Sequence, residues 1–192
     1  MRAILFFAVV LAALFAFAQT KPRANSAAVA SIEAKLQRIE NNARQAHPDP
    51  TPIELTEQEV NAYLASGDVQ LPAGVQSVQL QAQPGAVNGT SRVDFDQVKA
   101  GQHSSNPLLA VFSGVHDVQV MTHAYGKAGR GYVHVDSVSI DGIEVPQFAL
   151  QLFVDKYIKP KYPNVGIDSE FALPDRIDTA VVGLHKVTVA QK

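Results

Sequence analysis

The side chains in this sequence with most scope for chemistry are its histidines and two closely spaced carboxylates. His123 and His134 stand opposite each other if the strands on either side of the glycine-rich stretch 126–131 pair symmetrically. Two imidazoles facing across a hairpin hold a metal when a third ligand is near, and Asp136 or His116 are the residues to supply it. The same pair also reads as an exposed polar cross-strand contact. A one-residue slip in register separates the rings, so the metal reading hangs on the turn, and no metal site is expected. Asp94 and Asp96 lie two apart on one strand face, an arrangement open to acid–base work or to simple solvation. The chain has no G-x-S-x-G elbow, H-E-x-x-H, Walker loop or EF-hand loop. The 126–131 stretch joins two strands, whereas a phosphate cradle has to feed a helix N-terminus. No catalytic residue and no cofactor is expected.

Composition narrows the classes further. Cysteine is absent, which excludes disulfides, thiolate metal sites, Fe–S clusters and a cysteine nucleophile. Residues 1–18 read as an export signal: Arg2 precedes an unbroken apolar run, and Ala16-Phe17-Ala18 forms an A-x-A cleavage site. At about 15 residues the run is short of the roughly 20 that a spanning helix needs; the alternative is a retained anchor. Without Arg2 the 192-residue chain keeps 15 basic against 18 acidic residues, a net charge of −3. Nucleic-acid binders carry a basic excess, so no nucleic-acid partner is expected. The expected address is the periplasm or the exterior. Hydrophobic residues make up 46% of the sequence, enough for one globular domain with a real core.

The elements that would position any site follow from periodicity and punctuation. After a polar spacer, Val29, Ile32, Leu36, Ile39 and Ala43 recur at helical spacing within 26–46. Three prolines, Pro48, Pro50 and Pro52, then break the chain. Thr56 and Glu59 form a capping box, Leu55 and Val60 are placed for the staple beside it, and Gly67 stops the helix. Val78, Leu80 and Ala82 alternate with glutamines, turn at Pro84-Gly85, and pair with a returning strand over 87–96. A two-residue turn sets Ala82 against Val87, Leu80 against Gly89 and Val78 against Ser91. Asn106-Pro107, preceded by Ser105, opens a short apolar helix over 108–112. A second hairpin pairs 118–125 with 132–140, setting Met121 against Asp136, with a bulge past Ser137. Asp141-Gly142 is a tight turn, Pro146 starts a helix over 147–158 that is apolar on most of its surface, and two strands close the chain near 177–182 and 184–189. These elements define an α+β protein with three or four helices around about six strands in antiparallel hairpins.

Three stretches carry a family likeness: Leu55-Thr56-Glu57-Gln58-Glu59-Val60-Asn61-x-x-Leu64, Val138-x-Ile140-Asp141-Gly142-x-x-Val145-Pro146 and Phe171-x-Leu173-Pro174. In this order the chain resembles, over about 53–190, the small extracytoplasmic bacterial proteins related to the TULIP lipid-binding superfamily, the LmeA-like and YceB-like groups. The resemblance implies a curved antiparallel sheet packed against a long apolar helix, an apolar groove for acyl chains, and no catalytic residues. The lipoprotein members carry a lipobox cysteine that this chain lacks, and the helix at 26–46 is additional to the family pattern.

The expected function is therefore an exported, non-catalytic binding protein for a lipid or other apolar small molecule, on a domain spanning 53–192. The groove candidates are the apolar faces Val78, Leu80, Ala82, Val87, Val93, Phe95, Val118, Val120, Val133 and Val135, with Phe148 and Leu152 from the apolar helix. Lys156, Tyr157, Lys159 and Lys161 are the candidates for contact with a headgroup or membrane surface. The alternative is an envelope scaffold without a small ligand, with the 26–46 helix as its partner surface.

Overall fold

The protein was analysed as a computed structural model, which describes residues 27–100 and 106–192. The expected export signal (1–18), the spacer after it and Ser105 lie outside the described residues.

Alternation along the chain generates the sheet. β2 (Val75–Gln83) and β3 (Ala86–Asp94) turn at Pro84-Gly85, where Gly85 takes φ +74°. Val78 faces Ser91, Leu80 faces Gly89 and Ala82 faces Val87, the register that a two-residue turn requires. β4 (Val115–Lys127) and β5 (Arg130–Ile140) turn at Ala128-Gly129 alone, both with positive φ. Gly126 and Gly131 belong to the strands instead of the six-residue turn expected of them. A Cβ on Gly126 would lie 2.7 Å from that of Ala180, and one on Gly131 would lie 2.5 Å from the Phe171 ring, so both glycines exist to let neighbours approach. Tyr125 pairs with Tyr132 and His123 with His134. Met121 pairs with Ser137, not Asp136, because the bulge falls one position early and leaves Asp136 as the extra residue.

The sheet has nine strands, not about six. The additional ones are β1 (Ile53–Thr56), β6 (Ile143–Glu144) and β7 (Asp168–Ala172), each too short to show a clear alternation. β8 (Ile177–Gly183) and β9 (Lys186–Gln191) close the chain. All pairings are antiparallel, in the order β1-β9-β8-β4-β3-β2, while β5 lies along the other edge of β4 and carries β6 and β7.

The helices cover one face. α1 (Ala27–Ala43) buries Val29, Ile32 and Ile39 in the same core cluster as β1, β8 and β9, so it is packed on the sheet and not set apart from it. Beyond its end, Asn42 binds the backbone of Asp49 in both directions and donates to the Gln191 side chain, tying the proline-rich linker to β9. α2 (Glu57–Ala65) starts at the capping box, with Thr56 Oγ1 accepting from Glu59 N and the Glu59 carboxylate accepting from Thr56 N at 2.8 Å. Leu55 and Val60 are buried beside it.

Three expectations change in the second half. Phe95–Val98 is a one-turn helix, α3, capped by Asp94, which ends the strand expected to reach 96. Asp94 therefore accepts from Asp96 N and Gln97 N, and the two aspartates share no strand face. The helix expected at 108–112 is a single 3-10 turn, Pro107–Leu109, capped by Asn106. The helix expected over 147–158 is α4 (Gln147–Phe153) followed by a π turn, Val154–Ile158, in which Lys159 N donates to Val154 O. The widened turn brings both Tyr157 and Ile158 into the core, while Phe148 and Leu152 are 58% and 39% exposed, so the segment is neither one long helix nor buried all round. No helix among the described residues is long and apolar enough to cross a membrane.

Candidate functional site

Two core clusters lie on the inner face of the sheet. The first joins α1, α2, β1, β8 and β9 to the near ends of β2, β4 and β5. The second joins α3, α4 and the π turn to the far ends of β3, β4 and β5. Between them runs a groove of about 170 Å³, walled by the sheet, by the α4–π segment and by the stretch 69–72 with Val75. Leu71, Val75 and Val78 on one side and Leu150 and Val154 on the other are only half-buried, so the groove reaches solvent along that seam.

Nine of the twelve expected groove residues line it: Val78 and Leu80 from β2, Val87 and Val93 from β3, Phe95, Val118 and Val120 from β4, and Val133 and Val135 from β5. Three do not. Ala82 is buried in the first cluster, off the groove. Phe148 and Leu152 point away from it, because Ala149 and Phe153 take the core side of the helix. The helix contributes Leu150, Phe153, Val154 and Ile158 in their place. Their spacing of 3, 1 and 4 is an inward stripe, legible once one face of the helix is known to be exposed. Leu64, Val69, Val165 and Ile167 also line the groove, and their scattered loop and helix-end positions give no periodic signal.

The lining carries no charged side chain. Among its polar residues, Thr122 donates its hydroxyl to Val87 O and is thereby satisfied. Gly89 leaves its stretch of wall open: a Cβ there would meet nothing nearer than Leu80 Cδ2 at 3.5 Å. Beside it Phe95, Phe112 and Phe153 form a rigid aromatic block, with Phe112 and Phe153 stacked at 4.2 Å and Phe95 edge-on to both. An empty apolar cavity of this size costs about 4 kcal/mol at roughly 24 cal/mol per Å³. A guest of matching shape removes that cost.

The titratable groups form structural pairs. His123 Nδ1 lies 2.7 Å from Asp136 Oδ2, His134 Nδ1 lies 2.6 Å from Asp168 Oδ1, and His116 Nδ1 lies 2.5 Å from Asp141 Oδ2. Each ring is held by its own carboxylate, and among the described residues no group of three ligating side chains could hold a metal. Hydrogen bonds from these aspartates raise the pKa of His116 and of His134. Burial would push the Glu59 carboxyl up, but hydrogen bonds from Lys35, Ser31 and Thr56 outweigh it and hold the group at about 2. Lys35 and Ser31 belong to α1, so Glu59 fastens α1 to α2.

Of the expected headgroup contacts, Lys156, Lys159 and Lys161 are exposed. Tyr157 is buried, because the π turn rotates it into the aromatic block against Phe153; it cannot meet a headgroup. Among the described residues its hydroxyl is the one buried side-chain polar atom without a hydrogen-bond partner.

Comparison of the chain with family models, curated proteins and solved structures returns no match. Fold and site together define an α+β protein with an open nine-stranded antiparallel sheet and an uncharged apolar groove on its inner face.

Proposed function

We propose that this protein is an exported, non-catalytic binding protein whose groove holds an acyl chain or another slender apolar guest. The observation that carries the reading is the groove itself: about 170 Å³ between two core clusters, open along one seam, with no charge in its walls. Ordinary cores close such space, since each missing methylene loses contacts with its neighbours. Each buried methylene of a guest returns about 0.8 kcal/mol, so a modest stretch of acyl chain gives useful affinity. The resemblance to TULIP-related proteins points the same way, and the apolar leader at 1–18 supports export. A scaffold that uses α1 as its partner surface is less well supported, because Val29, Ile32 and Ile39 already face the protein's own core.

Saturated fatty acids of increasing length, followed by the melting temperature of the protein, test the proposal. The shift should grow with chain length and level off once the groove is full. Absence of a shift at every length would show that the groove takes no such guest.

A further inference from the structure

The segment from α4 through the π turn has two apolar faces and only one of them is used. Leu150, Phe153, Val154 and Ile158 wall the groove. Phe148 and Leu152, one helical turn apart on the opposite side, are 58% and 39% exposed. The 3-10 turn Pro107–Leu109 packs against α4, and beside it Leu108 and Val111 are exposed as well. Single exposed hydrophobes are ordinary on a protein surface; four large ones on two contacting elements mark a docking face.

The charge around this face is uneven. Residues 147–162 contain Lys156, Lys159 and Lys161 against Asp155 alone, a net +2 in a chain whose overall charge is −2. Asp155 is taken up by Lys159 and by Gln151. Lys161 donates to Val98 O and the Lys156 ammonium sits 5.3 Å from the Tyr157 ring, contacts that place both charges without neutralising them. Apolar side chains at one end of a short helix and lysines at the other is the pattern of a segment lying in a membrane interface.

We propose that this face docks on an anionic lipid bilayer, with Phe148 and Leu152 entering the acyl boundary and Lys156, Lys159 and Lys161 at headgroup level. The inference rests on the lipid-binding reading of the groove and gives it a route of exchange: the helix that walls the groove is the one that lies on the bilayer. Charge decides the occupant. An apolar face alone would suit a second copy of the chain, but lysines set at its edge suit phosphate headgroups, and each contributes about fivefold in partitioning.

The test is co-sedimentation of the protein, as recovered from expressing cells, with vesicles of phosphatidylcholine alone or mixed with phosphatidylglycerol. Any contribution from residues 1–26 is common to all variants and cancels. Binding should require phosphatidylglycerol, fall about 25-fold in K156Q/K159Q, and be lost in F148S/L152S. In parallel, the decanoate-induced melting shift of each variant reads the groove. Variants that lose vesicle binding and keep the decanoate shift bear out the docking face. Wild-type protein that shifts with decanoate yet ignores anionic vesicles overturns the docking face and leaves the groove standing. No decanoate shift in the wild type overturns the groove reading instead. Concentration-dependent dimers that F148S/L152S abolishes, with no vesicle binding, would assign the face to a second copy.

Discussion

Gly89→Val is the sharpest perturbation of the groove. Gly89 sits within β3 between Leu80 of β2 and Val120 of β4, and its backbone is outside the left-handed region. A β-branched residue is therefore allowed there, and replacing glycine inside a strand recovers about 0.5–1 kcal/mol. The new Cβ meets Leu80 Cδ2 at an ordinary 3.5 Å, and three added carbons burying at about 0.8 kcal/mol each bring roughly 2 kcal/mol more. At about 2–4 °C per kcal/mol for a domain of this size, the ligand-free variant should melt on the order of 10 °C higher. The same carbons take up guest space, so the shift with a fatty acid should shrink or vanish. Differential scanning calorimetry with and without decanoate reads both effects. A variant that melts lower than wild type would mean the site is already packed. A variant that is more stable yet binds decanoate unchanged would mean the guest sits elsewhere.

Three further outcomes follow from the packing. The Glu59 carboxyl is lowered from 4.5 to about 2, so its contribution is fully present above pH 4.5 and is lost as pH falls toward 2. That shift is worth about 3 kcal/mol; Glu59→Gln should destabilise the protein at neutral pH and flatten the acid limb of its stability curve, whereas an unchanged limb would place the acid sensitivity in other groups. Tyr157→Phe removes a buried hydroxyl without a partner and should stabilise the protein by about 1 kcal/mol in urea unfolding; a loss of stability instead would reveal a partner for the hydroxyl. Ile32→Ala should cost about 3 kcal/mol because Ile32 is fully buried, and deleting 27–47 should unfold the domain. A folded deletion variant would make α1 dispensable.

Local grammar carried the strand hairpins and the α2 cap into the sequence, because those features are set by neighbours. Pro84-Gly85 dictates its own register, and Thr56 with Glu59 closes a cap within four residues. The nine groove residues predicted correctly are the inward members of strands β2–β5 and the first residue of α3, Phe95, reached by continuing the β3 phase. What escaped depends on partners distant in sequence. β1 exists because Ile53–Thr56 meets β9 more than 130 positions later, and β7 because Asp168–Ala172 meets β5. The glycines at 126 and 131 look like turn residues until Ala180 and Phe171 are placed against them. The inward face of α4 was unreadable because Phe148 and Leu152 are as apolar as the side chains beneath them, so hydrophobicity alone could not say which side met the sheet. A surface that is apolar for docking and one that is apolar for packing look the same in one dimension.

Native mass spectrometry of the protein before and after organic extraction tests the central claim most directly. The account predicts a population carrying one releasable apolar molecule, a bare mass after extraction, and recovery of the adduct with a higher melting temperature when that molecule is returned. A bare mass from the start that stays bare across a panel of lipids, with no change in melting temperature, would contradict it.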